Sequence, residues 1–230
     1  MHPVMAMRWH DLLFAHWSIE ANALRAAIPA PLELDTVDGE AWIGVVPFWM
    51  SGIRPRFCPP LPGASTFPEL NLRTYVRYGS RGGVYFFSLD AAHRLAVRVA
   101  RRCFGLPYFD AEMHCQQAGD WIDYSSSRTH PDVVPAEFAA RYRPIGPVQN
   151  AAPGSLEYFL TERYCFFTVD QHQQVHRTDI RHEPWPLQAA EWQVERCDMT
   201  KLLGLTLPAH QPLLHFSRRL DVLAARPVRC

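Results

Sequence analysis

The chain has 230 residues, 48% of them hydrophobic, and its 23 basic and 23 acidic side chains cancel. That length supports one sizeable core, and the balanced charge excludes the basic stripe of a nucleic-acid binder or of a protein held on an anionic membrane. Six scattered cysteines without a CxxC pair, an N-terminus unlike a leader peptide and the lack of any apolar run of roughly 18 residues lead to a single cytoplasmic domain over 1–230 with free thiols.

Twenty prolines separate short runs rich in β-branched and aromatic residues, so strands dominate. In chain order, 18–28 reads as a helix capped by Ser18, with Leu24 and Ile28 on one face and Pro29 as its stop. A strand at 41–48 precedes a proline-rich segment, 54–68, which reads as a long loop of the kind that covers binding sites. Strands 70–78 and 83–89 form a hairpin turned by Gly79, Gly82 and Gly83. Residues 91–103 read as a helix capped by Asp90, with Leu95, Val99 and Cys103 as its apolar stripe and Gly105 and Pro107 ending it. Strands 112–118 and 121–129 meet at Gly119-Asp120, and 136–142 and 155–161 read as short helices. The remaining strands are 163–169, 174–182, 189–196 and 213–223. The fold class is α+β, predominantly antiparallel β, with no internal repeat and no linker that would divide the chain.

Several phrases carry a family pattern: HW at residue 16, LELDTVDGEAWIGVVPF at 32–48, FPELNLRTYV at 67–76, FGLPYFDAEM at 104–113, SLEYFLTERY at 155–164 and HEPWPL at 182–187. In these the chain resembles the YqjF-like family of uncharacterised proteins, which is grouped with acetoacetate decarboxylase. The resemblance implies a cone-shaped antiparallel β-barrel around a ligand cavity, with a few short helices. In the decarboxylase pattern a glycine, an aromatic or aliphatic residue and a proline precede the reactive lysine. Here Gly105-Leu106-Pro107 is followed by Tyr108 and Phe109, while Glu69 looks like the decarboxylase's cavity glutamate. Lys201 is the only lysine, and beside two leucines it reads as the solvated end of an element. An imine needs a partly neutral amine, and a phenol cannot form one. Schiff-base decarboxylation is therefore not expected.

Along 70–78 the side chains alternate, so Leu72, Thr74, Val76 and Tyr78 share one face and Glu69, Asn71, Arg73 and Tyr75 the other. Two readings stand. If the polar face lines the barrel, Arg73 grips a carboxylate or carbonyl through its planar fork, Glu69 transfers a proton and Tyr108 donates a hydrogen bond to a carbonyl oxygen. If that face is turned to solvent, Glu69 and Arg73 form an exposed ion pair of little consequence. Tyr85 and Ser88 point to opposite faces of the partner strand, so at most one of them joins the site. Arg128 is a second candidate anion ligand. Of Glu162 and Arg163, neighbours on opposite sides, one is expected to bond the main chain of an adjacent strand. His172 and His176 lie on a turn and strand, too far apart for a shared metal, whereas His182 beside Glu183 and Trp185 borders a pocket.

No nucleophile elbow, phosphate loop or zinc-ligand spacing occurs, and nothing names a cofactor or a metal. The function expected is that of a small-molecule enzyme of the acetoacetate decarboxylase-like superfamily acting without a Schiff-base lysine. Its substrate is a carboxylate- or carbonyl-bearing metabolite and its chemistry of lyase, hydratase or isomerase type. The alternatives are a non-catalytic ligand-binding or sensing protein using the same cavity, and a homo-oligomeric scaffold.

Overall fold

A computed structural model describes residues 2–60, 63 and 65–230 of the chain. The β-branched and aromatic runs form strands long enough to wrap. β1 (Pro3–Glu20), β3 (Glu40–Pro55), β4 (Phe67–Tyr78) and β5 (Arg81–Ala91) carry the first half, with a short α1 (Ala21–Arg25) and β2 (Glu33–Leu34) between β1 and β3. After α2 (Arg94–Phe104) come β6 (Tyr108–Ala118), β7 (Trp121–Arg128) and β8 (Glu137–Gln149). Then follow α3 (Leu156–Thr161), β9 (Cys165–Val169), β10 (Val175–Arg181), β11 (Leu187–Cys197), a 3-10 turn at Met199–Leu203, β12 (Leu213–Ala225) and β13 (Val228–Arg229). No helix among the described residues is long and apolar enough to cross a membrane.

These strands form one sheet in which β4 pairs back onto β5 and β10 onto β12. The first pairing closes a large circuit through β5, β6, β7, β8, β11, β12, β1, β3 and β4. The second closes a smaller one in which β9 and β10 replace β6, β7, β8 and β11. All pairings are antiparallel except β5 with β6 and β5 with β9. The wall β5-β4-β3-β1-β12 is thus common to both circuits, and its two faces look into two interiors.

Alternation along the shared strands fills both. On β1, Leu13, Ala15 and Trp17 enter the core of the large circuit with Val45, Leu72, Tyr142 and Phe216. Leu12 and Phe14 face the other way, with Val46, Phe48, Trp185 and Val222. This explains why β4 is buried almost continuously from Phe67 to Val76 despite a polar residue at every second position of one face.

Several expected elements take a different form. The helix expected at 18–28 is confined to Ala21–Arg25, because β1 runs on through Ser18 to Glu20 and pairs there with β3. Leu24 and Ile28 are nevertheless both buried. The segment 136–142 is not helical: Phe138, Ala140 and Tyr142 are buried at every second position of β8, the period of a strand. Asp90 does not cap α2. His93 does, its Nδ1 accepting from the amide of Ala96 at 3.1 Å, while Asp90 stays in β5. Nor is Leu95, Val99, Cys103 the packed stripe of α2. All three are exposed, and the helix docks through Val97, Ala96 and Phe104.

In the β4–β5 turn only Gly79 has a positive φ, 59°. Gly82 and Gly83 lie within β5, and a Cβ on Gly83 would meet the Cys165 carbonyl at 2.9 Å, so close strand approach demands that glycine. The loop expected at 54–68 is shorter than anticipated, since β3 extends to Pro55 and β4 begins at Phe67. Part of it, at 61, 62 and 64, lies outside the described residues.

Candidate functional site

The polar face of β4 looks into the smaller circuit, and Glu69, Asn71, Arg73 and Tyr75 are all buried. The reading in which Glu69 and Arg73 form an exposed ion pair is therefore overturned. The main chain at Glu69 is pinned from the opposite interior by the Tyr124 hydroxyl, which donates to its carbonyl at 2.6 Å. At its side chain, Tyr108 donates to Oε2 at 2.6 Å. Burial raises the Glu69 carboxyl from 4.5 to about 7, with Asp90 adding to the rise and hydrogen bonds from Tyr108 and Asn71 opposing it. Burial and the adjoining Glu69 also hold the Tyr108 phenol well above its usual range, so it remains a neutral donor. Register explains the reach: Asn71, Leu89 and Tyr108 stand in one row across β4, β5 and β6, with Glu69 two positions along β4.

The other end of the face is built around Arg73. Its guanidinium lies over the Phe14 ring at 5.0 Å, and Nη2 donates to the Leu160 carbonyl at 3.1 Å and to the Tyr75 hydroxyl at 3.3 Å. Among the described residues no carboxylate lies within ion-pair distance of Arg73, and its Nε is buried without a partner. Tyr75 donates to the Leu160 carbonyl at 2.6 Å, an oxygen at the end of α3 that has no intrahelical partner to accept. The Tyr75 oxygen must then accept from Nε2 of His16, 2.6 Å away. That assignment leaves Nδ1 of His16 as a bare acceptor, and this atom too is buried and unpaired. Burial, then Arg73 and His215, push the His16 imidazole well below 6.5, so it is neutral.

His16 and Arg73 approach each other because the residue between them is a glycine. His16 pairs with Gly44, and Gly44 with Arg73, in one row across β1, β3 and β4. A Cβ on Gly44 would lie 2.9 Å from Cδ2 of His16 and 3.4 Å from Cγ of Arg73. Glu69 and Arg73, four residues apart on a strand, are separated by about 13 Å along the backbone. The face therefore has two ends, an acid with a phenol and a guanidinium with an imidazole, with the unpaired Oδ1 of Asn71 between them.

The model of the DUF2071 family, described as an uncharacterized conserved protein, matches residues 6–221. The chain belongs to the DUF2071 family. It is 49% identical over 220 residues to the uncharacterized protein YqjF of Bacillus subtilis (strain 168), covering 96% of this chain and 90% of that one. Solved structures of acetoacetate decarboxylase-like proteins share its fold. Acetoacetate decarboxylase from Legionella pneumophila matches with a TM-score of 0.66 at 12% identity, over 99% of this chain and 87% of that one. An acetoacetate decarboxylase-like enzyme from Sphingomonas wittichii RW1 gives 0.63 at 13%, over 100% and 94%. The enduracididine biosynthesis enzyme MppR, complexed with pyruvate, gives 0.63 at 10%, over 100% and 91%.

Other expected residues of this DUF2071 chain lie elsewhere. Tyr85 pairs with Thr74 and packs on Phe87, on the face away from Arg73. A bulge at Phe87 places an extra residue in β5, so Ser88, paired with Leu72, shares Tyr85's face rather than opposing it. Arg128 is engaged by Asp90 through two hydrogen bonds, 2.8 and 3.2 Å, both side chains being buried, so its fork is not offered to a ligand. Both Glu162 and Arg163 bond the main chain, though not that of an adjacent strand: Glu162 accepts from the amide of Trp185, in the segment between β10 and β11, at 2.9 Å, and Arg163 donates to the Phe159 carbonyl of α3 at 2.6 Å and to Asp35 at 2.8 Å.

His182 does border a cleft, of about 610 Å³, but this cleft is separate from the β4 face. Trp185 stands between them, packed on Trp9 at 5.8 Å and on Phe14 at 4.9 Å. Lys201 lies on the 3-10 turn with its side chain 58% exposed, held to Asp198 at 2.7 Å. The residue that pattern reading missed is His16. The HW phrase marked it, but β1 is buried on both faces, which erases any period from its sequence.

Proposed function

We propose that this DUF2071 protein is a small-molecule enzyme whose substrate lies along the polar face of β4, a carboxylate- or carbonyl-bearing metabolite turned over without an imine. One observation carries the reading: Arg73 is a buried guanidinium with no carboxylate partner among the described residues, on the same strand face as a buried carboxyl whose pKa is raised to about 7. A buried cation without a counter-ion is costly unless an anion visits it, and a carboxyl poised near neutrality suits proton transfer in either direction. Arg73 and Trp185, whose Nε1 is also buried and unpaired, supply donors for a carboxylate or carbonyl. Oδ1 of Asn71 and Nδ1 of His16 are acceptors that a substrate hydroxyl would satisfy. Tyr108 commits its one O–H to Oε2 and so holds Glu69 in place, and it turns that donor to a substrate carbonyl only when Glu69 is protonated and donates to the phenol oxygen instead. Chemistry of lyase, hydratase or isomerase type fits, since each moves a proton beside a polarised carbonyl. The pyruvate complex of the fold neighbour MppR makes short oxo acids the first compounds to test.

The test is a thermal-shift screen of 2-oxo and 2-hydroxy carboxylates followed by turnover assays on whatever binds. Arg73→Met should abolish the shift, and Glu69→Gln should keep the shift but lose turnover. A folded Arg73→Met protein that shows the full shift refutes the reading. Loss of turnover without loss of binding separates an enzyme from a ligand-binding protein that merely retains the barrel.

A further inference from the structure

The 610 Å³ cleft bordered by His182 has no part in the reading above, yet its walls are unusually basic for a chain with no net charge. Four arginines line it, Arg8, Arg54, Arg56 and Arg181, against the two carboxylates Asp221 and Glu183. Their placement follows from register. Arg54 pairs with Ala6, Ala6 with Leu223, and Leu223 with Arg181, which makes one row across β3, β1, β12 and β10. Side chains in a row share a face, and adjacent strands lie about 4.8 Å apart. Two arginines therefore stand at the ends of a short floor made by Ala6 and Leu223, and all four residues line the cleft. This floor is open because β11 pairs with β12 only at His215 and Phe216, so the large circuit no longer covers the wall at Leu223.

Ion pairing within the cleft neutralises only part of this cluster. Asp221 is taken by Arg8 at 2.7 Å. Nη1 of Arg54 donates to the Gly52 carbonyl at 2.9 Å, which orients its fork without cancelling its charge. Among the described residues neither Arg54 nor Arg181 has a carboxylate within ion-pair distance, whereas most other ion pairs of the molecule run between nearby strands or turns. Two planar forks from opposite ends of one apolar floor, both lining the same cleft, match an anion with several oxygens on more than one side, which phosphate-type groups offer and a single carboxylate does not.

We propose that this cleft is a binding site for a compact polyvalent phosphate, free or esterified, held between Arg54 and Arg181. The site is independent of the β4 face, from which Trp185 separates it. Titration calorimetry at low ionic strength tests it with two probes, pyrophosphate and ADP. Wild-type protein should bind pyrophosphate saturably at one site, and the Arg54→Met, Arg181→Met double variant at least tenfold more weakly. Arg98→Met, an exposed arginine on α2, should bind as wild type does, and so should Arg73→Met, which removes the cation of the β4 face. Tighter binding of ADP than of pyrophosphate would assign the site to phosphate esters, and equal or weaker binding to the inorganic anion. The proposal is overturned if no saturable binding occurs, or if Arg98→Met weakens it as much as the double variant. It is also overturned if Arg73→Met abolishes binding, which would put the anion inside the barrel instead. Circular dichroism of the double variant guards the comparison. Should it misfold, the Arg54→Lys, Arg181→Lys protein replaces it, and retention of full affinity there would refute bidentate recognition.

Discussion

Tyr108 donates its hydroxyl to Glu69 at 2.6 Å across an intervening strand, since β6 and β4 are both paired to β5 and not to each other. The residue that follows Gly105-Leu106-Pro107, where the decarboxylase pattern places an amine, is therefore wired to the buried acid rather than being a neutral filler. Removing the hydroxyl by Tyr108→Phe takes away a bond that lowers the Glu69 pKa and leaves the desolvation that raises it. The titration midpoint of Glu69, followed by NMR with carboxyl-labelled glutamate, should move upward from about 7. A midpoint unchanged or shifted toward ordinary carboxylate values would mean that the phenol does not support the charged form.

The same carboxyl sets a pH dependence of stability. Glu69 is raised in the fold above its unfolded value of 4.5, so between 4.5 and about 7 the native protein keeps a proton that the unfolded chain releases. Stability from this group is thus full below pH 4.5 and is lost as pH rises through about 7. At about 1.4 kcal/mol per pH unit, the loss is about 3 kcal/mol. Glu69→Gln, neutral at every pH, lacks that slope. Urea unfolding of both proteins at pH 5 and pH 8 should show the variant gaining on the wild type at the higher pH. Parallel pH profiles would show that the carboxyl is not perturbed.

How much of this could be read in advance varies by residue, for physical reasons. Glu69, Asn71, Arg73 and Tyr75 were legible as one face because period-two alternation needs only four neighbours on one strand. Their direction was not, since a strand shared by two circuits is buried on both sides and polarity no longer marks the solvent face. His16 was illegible for the same reason, and its partners Gly44, Arg73 and Tyr75 come from strands whose register no local pattern encodes. The segment at 136–142 read as a helix because Ala139, Ala140 and Arg141 favour one, and pairing with β7 and β11 overrode that preference. Tyr85 was misassigned relative to Ser88 through a single bulged residue, which shifts every later side chain by one face.

Gly44 is the structural condition for the basic end of the site. Gly44→Ala would put a methyl 2.9 Å from the His16 ring, in mid-strand, where the backbone cannot yield without disturbing two ladders. The expected cost is about 1–3 kcal/mol in chemical denaturation, with weakened binding of any ligand that depends on Arg73. An unchanged midpoint would show that the imidazole has room to turn away.

Asp90 and Arg128 form a buried ion pair whose role is architectural. Each side chain is almost wholly buried, and Arg128 also lies over Phe109 at 4.6 Å. Deleting one partner strands the other charge, so Arg128→Met should cost about 3–5 kcal/mol. Adding Asp90→Asn to it should recover part of that loss. Equal destabilisation by the single and double changes would show that the pair is not coupled.

The chain's one side-chain amine decides whether imine chemistry is open to it. Lys201 points to solvent from the 3-10 turn and is bonded to Asp198, whereas Glu69, Arg73 and Tyr108 lie within the smaller circuit or at its wall. An exposed side chain bonded to a carboxylate keeps its hydration, the opposite of the desolvated setting that makes a lysine nucleophilic. Borohydride reduction in the presence of pyruvate and longer 2-oxo acids, read by intact mass and peptide mapping, should therefore give no adduct beyond that of an unrelated surface lysine. Lys201→Met should leave ligand binding and any turnover unchanged. Rapid, stoichiometric trapping on Lys201 would require that turn to fold inward during the reaction, and the acid, guanidinium and phenol described here would then be supporting groups around an amine instead of the reacting set.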